Sequence, residues 1–81
     1  MNTREHAIKF LEDRAKEEAE KEHNFSYEIE NCIYHIKKGK EKTEREVLDK
    51  VKAMGIESLN PEMFKNLEEI LHWLKKNRHI S

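Results

Sequence analysis

The chain has 81 residues, with 16 Lys and Arg against 17 Asp and Glu, and its hydrophobic fraction of 36% falls below its charged fraction of 41%, so it makes one domain with a small core. Its longest uncharged stretch, residues 31–36, is far short of the ~20 apolar residues of a membrane span, and the charged start Met1, Asn2, Thr3, Arg4, Glu5, His6 lacks the pattern of a signal peptide, so a soluble cytoplasmic protein without a membrane partner is expected. The single cysteine, Cys32, excludes an internal disulfide and a thiolate-built zinc site, which leaves packing to hold the fold.

Two glycines and one proline punctuate the chain, and good helix formers dominate it, which points to an all-α protein. The first predicted element is a helical arm over residues 3–38 with a kink near Asn24. Asn2 or Thr3 caps its start, with Glu5 at the capping-box spacing from Asn2. Its first apolar stripe is Ile8, Leu11, Ala15 and Ala19, flanked by Ala7 and Phe10. This stripe thins into a charged run with Glu12/Lys16 and Glu17/Lys21 at i,i+4. A second stripe, Phe25, Ile29, Cys32, Ile33 and Ile36, is denser and ends at Lys37, Lys38 and Gly39, residues suited to a helix C-terminus. A continuous heptad through both stripes would put Glu18 and Glu22 in its seam, so a break or a change of face is expected around residues 24–26.

A basic connection over residues 37–42 leads to a helix over residues 43–54. Thr43 and Glu46 have the capping-box spacing, and Val47, Leu48, Val51 and Met54 share a face. Gly55 follows where a Schellman cap places it, with Ile56 able to meet Val51. The last helix, residues 61–77, has Asn60 as cap, Pro61 at its first position and Leu59 with Phe64 at the hydrophobic-staple spacing. Its predicted core face is Phe64, Leu67, Ile70, Leu71 and Leu74, with Trp73 at the edge. The elements add up to a small helical hairpin or bundle of three to four helices, residues 1–81 forming one domain. The core is thin for so much helix, so self-association into a homo-oligomer is expected to complete it.

Two pairs, Glu20/His23 and Glu69/His72, have the E-x-x-H spacing that puts a carboxylate and an imidazole on one helical face. Di-iron carboxylate bundles use this spacing together with lone glutamates from other helices, a part for which Glu28 or Glu30 is available. Five histidines among many glutamates make such pairs common by chance, so metal binding is only an alternative reading and no cofactor is expected.

Charge is unevenly spread: residues 1–31 carry five positive and nine negative side chains, residues 32–52 seven and four, and residues 53–81 four of each. The basic cluster Lys37, Lys38, Lys40, Lys42 and Arg45, next to a second half resembling a helix-turn-helix unit, supports nucleic-acid binding as another alternative. Against it, Glu62, Glu68 and Glu69 on the last helix would repel phosphate, and the turn over residues 55–60 is long. The same asymmetry lets the acidic arm of one chain face the basic connection of another, favouring antiparallel pairing.

No nucleophile has its supporting groups. Cys32 lies on an apolar face, Ser26, Ser58 and Ser81 fit a cap, a loop and a terminus, and His6, His35 and His79 fall on polar faces or the tail. No glycine-rich phosphate loop is present, and an enzyme is not expected. The reading that remains is a small non-enzymatic helical interaction or regulatory protein, an inhibitor, adaptor or assembly factor that dimerises. Its candidate contacts with a protein partner are the aromatics at the stripe edges: Phe10, Tyr27, Tyr34 and Trp73.

Overall fold

The computed structural model describes residues 3–77, and five helices follow one another there without a strand: α1 (Thr3–Ala19), α2 (Ser26–Lys38), α3 (Glu44–Ala53), α4 (Ile56–Leu59) and α5 (Pro61–Asn77). None of them is long and apolar enough to cross a membrane.

The arm over residues 3–38 is interrupted near the expected place, and the interruption is a full break into two helices rather than a kink. α1 ends at Ala19, and α2 returns along it, so that Arg4 at the start of α1 meets Ile36 at the end of α2. Ala7, Leu11 and Ala15 of α1 and Ile29, Cys32, Ile33 and Ile36 of α2 are all buried. A single straight helix would have left both stripes without cover, and folding back removes both from water at once.

The corner is held by side chains rather than by apolar packing. Glu18, the residue that argued against a continuous seam, is buried beneath it. Its Oε1 accepts from the Phe25 N–H at 3.4 Å and its Oε2 pairs with Lys21 Nζ at 3.0 Å. Asn24 Oδ1 accepts from both the N–H and the hydroxyl of Ser26, at 3.1 and 2.6 Å, an Asx turn that starts α2. The inward stripe of α1 is therefore Thr3, Ala7, Leu11, Ala15 and Glu18, while Ala19 is exposed and Ile8 only half-buried.

α3 begins as its sequence predicts. Thr43 Oγ1 accepts from the Glu46 N–H at 3.2 Å, and the Glu46 carboxylate accepts in return from the Thr43 and Lys42 N–H groups. Gly55 follows α3 at φ +83°, a left-handed conformation that side chains disfavour, and its N–H reaches back to the Lys52 carbonyl. The stretch expected as a plain turn then forms the single-turn α4, which buries Ile56. Asn60 caps α5 by accepting from the Met63 N–H at 3.1 Å.

On α5 the core face is Met63, Phe64, Leu67 and Leu71. Ile70, predicted inside, is 37% exposed, and Met63 takes the inward position one turn before Leu67. Val47 and Val51 of α3 complete the cluster. α2 thus covers the inward stripe of α1 within one chain.

Candidate interaction surface

The aromatic candidates fall into three environments. Tyr27 and Tyr34 stand seven residues apart on the face of α2 opposite Ile29 and Ile36, about 10 Å apart along the axis. They are 76% and 54% exposed. Tyr34 is dressed by neighbours on its own helix: Lys38 Nζ lies 4.9 Å from its ring centre and donates to its hydroxyl at 2.9 Å, while the His35 ring meets it edge-on at 5.5 Å.

Trp73, 63% exposed, lies on a second surface, the flank of α5 turned away from α3, together with Ile70. Phe10 departs from expectation. It is half-buried against the core, with the Arg14 guanidinium 6.0 Å from its ring centre, and is a packing residue rather than a free anchor. The fold thus brings Tyr27 and Tyr34 together, keeps Trp73 apart from them and adds Ile70, which its place in the apolar stripe had concealed.

Lys37, Lys38, Lys40, Lys42 and Arg45 are all exposed around the end of α2 and the start of α3. Two of these cations have partners on their own chain: Lys37 Nζ pairs with Glu12 Oε2 at 3.4 Å, and Lys38 sits on Tyr34. The match between acidic arm and basic connection, expected between chains, is thus partly made within one. A further cation, Arg4, was missed by sequence reasoning. Its Nη2 donates to the carbonyls of Ile36, Lys37 and Gly39 at 2.9, 2.6 and 3.3 Å and so satisfies the open end of α2.

Among the described residues, neither E-x-x-H pair is joined by a third ligand of the kind the alternative metal reading needs. Glu20 and His23 lie exposed in the corner, where the helical spacing no longer applies. His72 turns instead to α3, with its Nδ1 2.6 Å from Glu44 Oε1. Glu44 is 4% exposed in its side chain, and its second oxygen is buried without a hydrogen-bond partner. The pair lines a groove of about 280 Å³ between α3 and α5 that also presents Arg45, Asp49, Lys52, Glu68 and Lys75, a mixture of cations and anions. No local spacing signals a partnership between residues 44 and 72. Among the described residues no group of three His, Cys, Asp or Glu side chains is placed to hold a metal ion, so Glu28 and Glu30 on α2 do not extend either pair.

Cys32 is fully buried. Burial pushes its thiol from 9.0 up to about 11, with the Lys50 charge opposing and Glu41 adding to the shift. It packs as a small apolar residue, the role its position on the stripe predicts. His6 is half-buried on α1 and His35 exposed on α2, whereas His79 lies outside the described residues.

No family model, curated protein or solved structure matches this chain. The functional reading therefore rests on what the surface presents.

Proposed function

We propose that this protein is a small helical interaction protein, working without catalysis as a regulator, adaptor or assembly factor, and that it binds a protein partner through the exposed aromatic faces of α2 and α5. One observation carries this reading. The chain has a single tryptophan and a small core, yet Trp73 is left 63% exposed beside Ile70 instead of being packed inward. A chain short of apolar material gains stability by burying its largest side chain, and an indole kept in water next to an isoleucine is the composition of an interface anchor. Tyr27 and Tyr34 repeat the pattern on α2, with polar side chains around them as at an interface rim.

Trp73→Ala, combined with Ile70→Ser, tests the reading. Helical content is expected to be unchanged, because both side chains lie outside the buried cluster. Immobilised wild-type protein is expected to retain a specific protein from cells that the double variant does not retain. An identical set held equally well by both forms would overturn the assignment.

A further inference from the structure

We infer that the outer face of α2 is a self-association surface on which a second copy of this chain docks, with the two α2 helices antiparallel about a two-fold axis near Asn31. The inference rests on the interaction reading and names the occupant of one of its two faces. Tyr27 and Tyr34 lie symmetrically about the midpoint between Glu30 and Asn31, so an antiparallel copy sets Tyr27 of each chain against Tyr34 of the other. This is the self-complementary relation that a two-fold interface requires.

The charges at the two ends of α2 select that direction. The corner leading into the helix carries exposed Glu20 and Glu22, with Lys21 between them paired to Glu18, and the far end carries exposed Lys38 and Lys40 beside a Lys37 paired to Glu12. With α2 about 20 Å long, antiparallel docking brings the acidic corner of each chain to the basic end of the other, twice over. A parallel pair would join like with like at both ends. The face itself has Asn31 between the two tyrosines, with exposed Glu30 and Lys38 flanking them, an aromatic strip with a charged and polar border. A single helix pair falls below the ~1,000 Å² typical of a stable complex, so the dimer is expected to be weak, on the order of micromolar.

Sedimentation equilibrium of the full chain over a wide concentration range tests this. A monomer–dimer equilibrium that weakens with added salt is expected. Tyr27→Ala with Tyr34→Ala is expected to weaken it roughly tenfold or more. Glu20→Lys with Glu22→Lys, and separately Lys38→Glu with Lys40→Glu, are each expected to abolish it, whereas mixing the two charge variants restores opposite signs at both ends and the dimer with them. Direction is read by oxidative cross-linking. Asn31→Cys is expected to form a covalent dimer and His23→Cys to form none, with buried Cys32 silent in both. A chain that stays monomeric throughout, a dimer indifferent to these changes, or a His23→Cys protein that cross-links to itself would overturn the inference. Loss of the dimer idea alongside a Trp73-dependent partner would leave the interaction reading standing, and an α2 dimer without such a partner would do the reverse.

Discussion

The Arg4 guanidinium donates to the carbonyl oxygen of Ile36 at 2.9 Å, so the first turn of α1 caps the last turn of α2. A helix ends with unpaired carbonyls and the negative pole of its dipole, and a cation from a neighbouring helix answers both. Arg4→Ala is expected to destabilise the fold by about 1–2 kcal/mol, and Arg4→Lys by less, since an ammonium keeps the charge but not the planar fork. Urea unfolding measures the difference. A change within error for Arg4→Ala would remove the cap from the account.

Glu18 does the equivalent service at the other end of the hairpin. Truncating it to Ala leaves the Phe25 N–H without its acceptor and is expected to cost about 1–2 kcal/mol. Glu18→Gln keeps an oxygen in place and loses only the pairing with Lys21, whose side chain is mostly exposed, so it is expected to cost well under half as much. Equal losses for the two variants in thermal unfolding would mean that charge, not the hydrogen bond, holds the corner.

Glu44 and His72 join α3 to α5. A double-mutant cycle with Glu44→Ala and His72→Ala is expected to give a coupling of about 0.5–1 kcal/mol, held down by the 63% exposure of the His72 side chain. Additive single losses would show that the contact contributes nothing beyond its two members.

The buried thiol sets an alkaline limit. Folding holds Cys32 in its neutral form, because its value rises from 9.0 to about 11 inside the protein. This stabilisation is complete below pH 9 and is lost progressively as pH climbs toward about 11. Cys32→Ala creates a small void, yet it is expected to flatten that alkaline loss. Thiol-reactive dyes are expected to label the wild-type protein at pH 8 only as fast as it unfolds. Rapid stoichiometric labelling of the folded form would contradict the burial.

Glu46 acts on the acid side. The Lys42 and Thr43 N–H groups hold its carboxyl below the usual glutamate value, so its contribution is present at neutral pH and fades as pH falls through that lowered value. Glu46→Gln is expected to remove this component of the acid transition followed by circular dichroism. An unchanged transition would show that the capping box does not respond to its charge.

The start of α3 and the start of α5 were legible because their signals are local: Thr43 with Glu46, and Asn60 before Pro61, close their hydrogen bonds within one turn. The break near residues 24–26 was legible from the glutamates in the would-be seam, but the contacts that fix the packing were not, because Arg4 finds Ile36 and His72 finds Glu44 across stretches of chain that no periodicity spans. Reading apolar residues alone also put Ala19 in the inward stripe and took Glu18 as a reason for the chain to break rather than as a buried residue. The protein exposes Ala19 and buries Glu18, since a carboxylate with two partners can be buried where the backbone turns, and a methyl group at a helix end gains little. Of the surface, Tyr27 and Tyr34, expected at the edge of the α2 stripe, stand on the opposite face instead, and Ile70 has nothing in its own spacing to tell it from Leu71.

The exposure of Trp73 also decides how this molecule can be watched. Its only indole already meets water in the folded chain, so the emission maximum of the native protein is expected near that of the free fluorophore, and unfolding should barely move it. A blue shift would then report the docking of something over α5 rather than folding, which makes the lone tryptophan a built-in optical sensor for a partner.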